Sequence, residues 1–591
     1  MVIALLLTLI PFLLVFCCKN RVYGFLSVFT AIVGFHLFLA IVTQAFHVFN
    51  YPVVIGAHVI FGLVAIVILI KNRDRFREGV SETQFHSLFR LKNLVVFAVF
   101  GIIFFELWSV HFNYTGAIAT INGNERVQSY SDPYPIFSDE WAGVAFSNYA
   151  IASSSLPLVN PLWENSPFFT FLMPFHSMVA ELFLFFDCTP LYAYAYLAIW
   201  AGMIICFFAY LFLRAHNVST LFSALTVLFL PFIANGNNLP GLWYILPVGG
   251  GLIFLIVCAI ADRIDKDRLV CASALVSFIL YPPILVFLGP LFIARYLYLS
   301  RVKKIVKNPL LVWGIVVIVC AGAVFYFSDK LFLDQYIFRT NLLGGIPSFP
   351  LWVIVPWFLL PFFAIGVWSL CMKKMYPLVV SIGVGFIFWI CYAFTMNVFV
   401  IDYPRVVFVC SVLIVIVAGL GLDWFGKKTA AYLHVDKPLY SGIAGIIVIL
   451  VFFVASFSYT SMSIWNKLVL HGYDNQGNAI VINPIPPSNQ YLTPDDIRFF
   501  DTVHNQVIVT VPWKGLAIGA ADYDYPLQSK ASEITNNVFL TQDFINGTCN
   551  DKNFWVHYFG IAYVYMPPFN CPNFISEGTS SEGLVFYKYM Q

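Results

Sequence analysis

The chain has 591 residues, of which 60% are hydrophobic and only 10% are charged, and its formal net charge is +2. A soluble domain carries about 25% charged residues, so this composition excludes an ordinary soluble enzyme and indicates a protein embedded in a lipid bilayer. The small net charge, with no basic cluster interleaved with aromatic residues, excludes nucleic acid as a partner.

The N-terminal segment is apolar up to Cys17 and Cys18 and then becomes basic at Lys19 and Arg21. A cleavable signal peptide has a basic start and a small-residue cleavage site, and this segment has neither, so we predict a retained helix. It is the first of about 14 apolar stretches that are long enough to cross a bilayer. Two of these predicted spans are the short helices of a hairpin at 268–301, which is broken at Tyr281-Pro282-Pro283. The others lie near residues 2–18, 23–46, 52–70, 93–112, 190–213, 218–234, 241–261, 309–327, 350–371, 376–398, 405–424 and 439–459.

The orientation of these spans follows from the basic residues in short loops, which favour the cytoplasmic side. All the basic clusters can share that side only if the apolar segment 168–186 does not complete a crossing, so we expect this segment to lie along, or dip into, the outer face. The clusters are Lys19 and Arg21, the group at 71–92, Arg214, Arg263 with Lys266 and Arg268, the group at 301–307, Lys373 with Lys374, and Lys427 with Lys428. The loops at 113–189 and 328–349, the corner at Asp402–Arg405 and the tail after about residue 460 are then extracytoplasmic.

The tail has the pattern of a small α/β domain. Leu492-Thr493-Pro494-Asp495-Asp496 reads as a helix start, with Thr493 as its N-cap, and strands are predicted at 507–511, 563–566 and 584–589. Cys549 and Cys571 are the two cysteines of this tail, and an extracytoplasmic setting permits a disulfide worth roughly 3 kcal/mol. The alternative is two free, buried thiols. The predicted fold class is therefore an α-helical polytopic membrane protein with a small C-terminal α/β domain.

Ser138-Asp139-Glu140-Trp141 places two adjacent carboxylates in a polar stretch between apolar helices. Charges are costly in a bilayer, so an acidic pair at the lipid–water boundary is a candidate for handling the polar end of a lipid-borne substrate. Ser138 is positioned to cap a helix, which would place Asp139 in the first turn. The alternative is that the two acids only open a surface helix as N-terminal charges.

Other ionisable residues fall within apolar stretches. His36 is in the middle of a predicted span, and Glu181 and His176 are in the 168–186 segment. An intramembrane ionisable residue is by default a functional hypothesis. The alternative is that each lone histidine is a satisfied helix-packing residue.

The order of these features resembles that of the membrane-embedded glycosyltransferases of the GT-C superfamily, among them protein mannosyltransferases and aminoarabinose transferases. The resemblance rests on the acidic pair at 139–140 before Trp141, on Leu156-Pro157, on Asn160-Pro161-Leu162-Trp163 and on the corner Asp402-Tyr403-Pro404-Arg405. It covers nearly the whole chain from about residue 93. It implies three parts, namely extra N-terminal transmembrane helices at 1–92, a transmembrane catalytic module at 93–459 with its outer loop at 113–189, and an extracytoplasmic α/β domain at 460–591.

The resemblance also implies a reaction. Such enzymes move a sugar from a polyprenyl-phosphate lipid to a glycan, lipid or protein acceptor on the outer face, usually with inversion. Asp139 would be the general base and Glu140 would assist it. Arg405 would be the leading contact for the donor phosphate, followed by Arg339 and Lys330, and membrane lipids would surround the whole module.

Further substrate contacts are expected from Trp141 and Tyr403, and from the outer turn that contains Asn237 and Asn238. Many relatives place a second aspartate in the turn equivalent to 235–240, where this chain has asparagine. The resemblance also permits a divalent cation, Mg²⁺ or Mn²⁺, held by Asp139 and Glu140. The neutral asparagines weaken this metal-dependent form of the reaction, and the sequence supplies no full ligand set for the cation.

Two other classes of function stay open at this point. A transporter or lipid flippase would have repeated halves with matching interrupted helices, and only one interruption is found, at Pro282-Pro283. A non-enzymatic envelope assembly subunit would use the tail as a binding module. The sequence has no P-loop, no GxGxxG after a strand and no HExxH, so cytoplasmic nucleotide-sugar chemistry is not expected.

Overall fold

The computed structural model of the chain describes residues 2–81, 91–112, 115–119, 125–129, 135, 138–162, 166–167, 171–233, 241–302, 351, 355–395, 401–432, 471–473, 479–481, 492–501, 503–522, 524–527 and 541–590. Over these residues the fold is mostly helical, with a small α/β region near the C-terminus, as predicted. Five described helices are long and apolar enough to cross a bilayer, so the figure of about 14 spans stays a prediction. They are Arg21–Ala45, Tyr51–Lys71, Pro190–Ala215, Tyr376–Phe394 and Tyr403–Thr429.

The N-terminal part is built from five helices and a short 3₁₀ turn. Asn20 and Asn50 cap the second and third helices, since each side chain accepts a backbone N–H from the residue three positions on. The elements are α1 (Val2–Phe12), the 3₁₀ turn Leu13–Cys17, α2 (Arg21–Ala45), α3 (Tyr51–Lys71), α4 (Arg73–Ser81) and α5 (Leu91–Phe112).

The middle of the chain forms the helical core. Its elements are β1 (Thr115–Ala119), β2 (Glu125–Ser129), α6 (Ser138–Ser153), β3 (Val159–Asn160), β4 (Ser166–Pro167), α7 (Met173–Phe186), α8 (Pro190–Ala215), α9 (Thr220–Val227), the 3₁₀ turn Leu230–Phe232, α10 (Pro247–Arg263), α11 (Asp267–Leu280), the 3₁₀ turn Pro282–Ile284 and α12 (Leu285–Val302). β1 pairs with β2 and β3 with β4, both antiparallel. The predicted break at Tyr281-Pro282-Pro283 is confirmed, because α11 ends at Leu280 and a 3₁₀ turn leads into α12.

The segment predicted to lie along the outer surface forms α7, which is 14 residues long, or about 21 Å. This helix is not superficial within the protein. Nine of its side chains are buried, and it packs between α2 and α6. Its length is less than the roughly 30 Å of hydrocarbon that a crossing helix spans.

Three more helices complete the described membrane part, namely α13 (Leu360–Met372), which follows a 3₁₀ turn at Trp357–Leu359, α14 (Tyr376–Thr395) and α15 (Tyr403–Tyr432). α13 and α15 approach each other through glycines. A Cβ on Gly366 would overlap the carbonyl of Val417, and a Cβ on Gly421 would overlap the carbonyl of Phe362. Small residues at such positions let two helix backbones come into direct contact, as is common between membrane helices.

Basic residues from separate loops meet at one end of the bundle. Lys373 donates a hydrogen bond to the carbonyl of His216 at 3.2 Å, and Lys427 donates to the carbonyl of Asn217 at 3.4 Å. Arg405 is 22 positions before Lys427 on the same helix, which is about 33 Å along the axis of α15. The basic loops and the Asp402–Arg405 corner therefore lie at opposite ends of α15, as predicted. Which of these ends faces the cytoplasm stays a prediction.

The C-terminal region contains β5 (His471–Tyr473), β6 (Ala479–Val481), α16 (Pro494–Phe500), β7 (Val507–Thr510), α17 (Pro512–Asp522), β8 (Tyr525–Pro526), α18 (Thr541–Asn546), α19 (Cys549–Phe559), β9 (Ile561–Met566), β10 (Phe574–Thr579) and β11 (Val585–Tyr589). Five strands form one mixed sheet in the order β10-β11-β9-β7-β8. β7 runs parallel to β8 and β9, whereas β11 is antiparallel to β9 and β10. The three strands predicted in the tail are confirmed as β7, β9 and β11.

Local chemistry sets the ends of these elements. Thr493 and Asp496 form a reciprocal capping box at the start of α16, which confirms the predicted helix start. α19 ends at Gly560, whose φ of +65° favours glycine. Cys549 and Cys571 form a disulfide, with their Cα atoms 5.5 Å apart, that joins the start of α19 to the connection between β9 and β10.

The C-terminal region packs directly on the helix that carries the acidic pair. The side-chain amide of Asn148, on α6, donates a hydrogen bond to the carbonyl of Ala520, on α17, at 2.9 Å. Next to this contact, Gly519 leaves room for the side chain of Leu162. α6 is therefore held between the helical core and α17 of the C-terminal region.

Candidate active site

Two helix starts bring charged side chains together. α6 begins at Ser138, so Asp139 and Glu140 are in its first turn, as predicted. α15 begins at Tyr403, with Asp402 immediately before it and Arg405 in its first turn. The N-terminal end of a helix favours negative charge, so a carboxylate in this position is stabilised in its ionised form.

Asp139 and Arg405 form an ion pair, in which Nη2 of Arg405 is 2.9 Å from Oδ2 of Asp139. Nη1 of the same guanidinium is 3.2 Å from Oδ2 of Asp402. One cation thus bridges two carboxylates, and the three groups together carry a net negative charge. The side chains of Asp139, Asp402 and Arg405 are 42%, 49% and 27% exposed, so solvent reaches the group.

The surroundings act on the protonation of Asp139 in opposite directions. Crowding by protein atoms raises the pKa of the Asp139 carboxyl, Arg405 lowers that pKa, and the nearby charge of Asp402 raises it. The net shift is upward from the ordinary value of 3.8. Because part of the side chain remains exposed, this carboxyl can still exchange protons with solvent or with a bound group.

Glu140 has a different environment from its neighbour. Its side chain is fully buried, and Oε1 accepts the backbone N–H of Ile245 at 3.0 Å. His111 holds the same segment, since its Nε2 donates to the carbonyl of Trp243 at 2.9 Å. The two side chains therefore hold the segment that contains Trp243 and Ile245.

Trp141 and Tyr403 were expected to contact substrate; both side chains are buried, and the contact stays a prediction. The Trp141 side chain is fully buried, and Tyr403 is 2% exposed. The Tyr403 ring stacks on that of Tyr392, with centroids 3.9 Å apart and the planes 8° from parallel. These rings are part of the core that supports the two helix starts. Neighbouring residues on a helix point in different directions, so a residue next to an exposed charged side chain can face the interior.

Four of the residues predicted for the site, Asn237, Asn238, Lys330 and Arg339, lie outside the described residues. The roles proposed for them stay predictions.

The structure adds two residues that the sequence did not single out for the site. Asp402 contacts Arg405 from three positions earlier in the chain. Tyr281 is 5% exposed and lies within electrostatic reach of Asp139, Asp402 and Arg405. The three-residue spacing of Asp402 and Arg405 at a helix start could have predicted their contact. For Tyr281, the only indication in the sequence was its place before the Pro282-Pro283 break.

The described residues do not assemble the predicted divalent-cation site at Asp139 and Glu140. Asp139 pairs with a guanidinium, which supplies positive charge between two carboxylates, while Glu140 accepts a backbone N–H in the interior. Hard divalent cations require several convergent oxygen ligands. The Mg²⁺ or Mn²⁺ site therefore stays a prediction, and no step proposed below depends on it.

No protein-family model matches the sequence, and a search of curated proteins gives no match either. Several solved structures do match the fold. The oligosaccharyltransferase of Archaeoglobus fulgidus, tethered to an acceptor peptide, matches over 85% of this chain and 75% of its own, at 10% identity and a TM-score of 0.45. The same organism's AglB, in complex with an inhibitory peptide and a dolichol-phosphate, matches over 80% and 69%, at 11% identity and a TM-score of 0.43.

ArnT from Cupriavidus metallidurans, in the apo state, matches over 83% of this chain and 97% of its own, at 13% identity and a TM-score of 0.46. These three structures are thus two of an oligosaccharyltransferase and one of ArnT. Likenesses with TM-scores below 0.5 carry no weight for the chemistry of this chain, which depends on the geometry of its own residues.

Proposed function

We propose that the chain is a membrane glycosyltransferase that moves a sugar from a polyprenyl-phosphate donor to an acceptor hydroxyl on the outer face of the membrane. The single observation that supports this most is the ion pair between Asp139 and Arg405, which is partly exposed at the starts of α6 and α15. A proton acceptor and a phosphate-binding cation are the two groups that such a transfer needs from the protein.

Arg405 is the group proposed to bind the donor phosphate. A guanidinium forms bidentate hydrogen bonds with phosphate oxygens, and it is partly exposed here. A phosphate that approaches Arg405 competes with Asp139 for the guanidinium. When the phosphate takes this contact, Asp139 loses its partner and becomes free to accept a proton.

Asp139 and Arg405 together account for the proton and the charge that move in the transfer. The acceptor oxygen attacks the anomeric carbon, and the bond from that carbon to the phosphate oxygen breaks. The electron pair of this bond leaves with the polyprenyl phosphate, whose charge Arg405 stabilises. Asp139 takes the proton of the acceptor hydroxyl, and attack from the face opposite the leaving group inverts the anomeric centre. The phosphate is a good leaving group, so positioning and charge stabilisation account for most of the catalysis.

Glu140 supports this chemistry from the interior beside Asp139. Its contact with Ile245 ties the first turn of α6 to the segment that contains Ile245. We assign it a positioning role, and not that of a second base, because the buried side chain has no exposed surface to meet an acceptor.

The test is transfer by the purified full-length chain in lipid nanodiscs. A panel of polyprenyl-phosphate sugars is offered together with lipid, glycan and peptide acceptors, and released polyprenyl phosphate is measured by mass spectrometry. The proposal expects release with at least one donor, dependent on an acceptor. Translocation of an intact donor across the bilayer without release, measured with the chain in sealed vesicles, would instead identify a flippase and overturn the proposal.

A further inference from the structure

Three side chains of the metal-ligating type meet in the interior, away from the two helix starts described above. They are His36 on α2, His58 on α3 and Glu181 on α7. Nδ1 of His36 is 2.7 Å from one carboxylate oxygen of Glu181, and Nε2 of His58 is 2.8 Å from the other. Among the described residues, this is the group of histidine, cysteine and acidic side chains whose ligand atoms are close enough to share an ion.

The cluster is enclosed by protein. His36 and His58 are 6% and 4% exposed, and Glu181 is fully buried. The ring of Phe185 lies 5.4 Å from that of His36 and 4.0 Å from that of His58, and the ring of Phe35 lies 5.0 Å from that of His58. An apolar shell of this kind excludes water, so each polar atom inside must be satisfied by the cluster itself or by something that it binds.

The charges of the cluster call for a cation. A fully buried carboxylate is stable only when paired. The two imidazole centroids are 4.5 Å apart, so protonating both rings would place two like charges side by side. A divalent metal satisfies all three groups at once, because each neutral imidazole offers a lone pair and the carboxylate offers its charge.

The geometry suits a small transition metal. The three ligand atoms all lie within 4.8 Å of one another. Zinc binds nitrogen and oxygen at about 2.0–2.2 Å, which places tetrahedral ligand atoms roughly 3.3 Å apart. The hydrogen-bonded atoms would therefore separate by roughly half an ångström on binding. Two imidazole nitrogens and both oxygens of the Glu181 carboxylate supply the four ligand atoms of a closed site. This ligand set favours zinc and its neighbours over Mg²⁺ or Ca²⁺, which prefer oxygen ligands alone.

We propose that His36, His58 and Glu181 bind a zinc-class divalent metal that fixes the N-terminal helices α2 and α3 to α7. His36 follows the start of α2 by 15 residues, or about 22 Å, so the site lies well inside the predicted span. The metal links two helices of the N-terminal segment to the helix that packs against α6. Its role is structural, and it does not depend on the proposed glycosyltransferase function.

The experiment measures metal in the purified full-length chain by elemental mass spectrometry, after incubation with Zn²⁺ and removal of excess ion. The proposal expects about one zinc per chain, lost in His36→Gln and in His58→Gln. His216→Gln, at another buried histidine outside the cluster, is the matched control and should keep the metal. Substituted Co²⁺ should give the visible absorption of a tetrahedral site with nitrogen and oxygen ligands.

Two outcomes overturn the proposal. One is that the wild-type chain retains no zinc and gives no Co²⁺ spectrum, in which case the cluster only shares protons. The other is that zinc is retained equally by the two histidine variants, which would place the metal elsewhere. If a histidine variant does not fold, Glu181→Gln is used in its place. This variant preserves the shape of the side chain but removes the charge that the metal requires, so it should abolish zinc retention.

Discussion

Asp139 and Arg405 are 266 positions apart in the sequence, and their side chains meet at 2.9 Å where α6 and α15 begin. The guanidinium also contacts Asp402, so it serves two partly exposed carboxylates. Under the proposed function, a donor phosphate that binds Arg405 releases Asp139 and so changes the partners of both residues at once. This coupling between donor binding and base activation is the basis of the predictions about Arg405 and Asp139.

Replacing Arg405 with glutamine should weaken donor binding. A hydrogen bond to a charged group is worth about 1.5–3 kcal/mol, so we expect the dissociation constant for a polyprenyl phosphate to rise by roughly 10- to 100-fold. Binding is measured by calorimetry in detergent. The matched control is Arg498→Gln on the C-terminal helix α16, where the side chain is 67% exposed. Equal binding by Arg405→Gln and wild type would remove Arg405 from the donor site.

The pH dependence of turnover should report Asp139. Its pKa is raised above 3.8, and a base works only when deprotonated, so kcat/KM should fall as the pH drops through this raised pKa. Arg405 lowers the pKa of Asp139, so Arg405→Gln should move the acidic limb of the profile to higher pH. A limb that stays in place, or moves to lower pH, would mean that another group titrates.

Glu140 should act through structure. Glu140→Ala leaves the N–H of Ile245 without its acceptor in the interior, so we expect a loss of about 1.5–3 kcal/mol in the free energy of unfolding. Glu140→Gln keeps an acceptor oxygen and should lose less. Thermal unfolding gives the stability, and hydrogen exchange at the Ile245 amide gives the local effect. Unchanged exchange in the alanine variant would show that this contact does not hold the segment.

The glycine contact between α13 and α15 should be sensitive to a single methyl group. Gly421→Ala places a Cβ against the carbonyl of Phe362, and overpacking of this kind costs about 1–3 kcal/mol. Gly383→Ala is the matched control on α14, because an added Cβ there meets no atom within 4 Å. Thermal unfolding in detergent compares the two. Equal stability of both variants would contradict the close helix approach.

The sequence best predicted those structural features that are caused by neighbouring residues. Capping residues such as Thr493, the alternation in the tail strands and the double proline after Tyr281 all depend on neighbours within a few positions, and these predictions agree with the structure. Asp139 and Arg405 were each recognised as candidates, because charges at the ends of apolar helices are unusual. That they touch could not be predicted, since no spacing reveals which helices of a bundle pack together.

The same limit explains the remaining differences. His36 and Glu181 were weighed as separate residues, and His58 was not weighed at all, because the cluster forms only when three helices pack. Trp141 was expected to contact substrate, and the sequence did not show that its side chain is buried. On a helix, successive side chains point about 100° apart, so the residues next to an exposed carboxylate can be fully buried.

The most direct test of the account is single-turnover transfer by Asp139→Asn, with donor binding measured on the same preparation. General base catalysis contributes about 10²- to 10⁴-fold, so the rate should fall by that factor while the donor still binds through Arg405. Asp187→Asn is the matched control, because it is exposed and its left-handed backbone, with φ of +54°, suits asparagine equally well. Transfer by Asp139→Asn at the wild-type rate would contradict the assignment of Asp139 as the base.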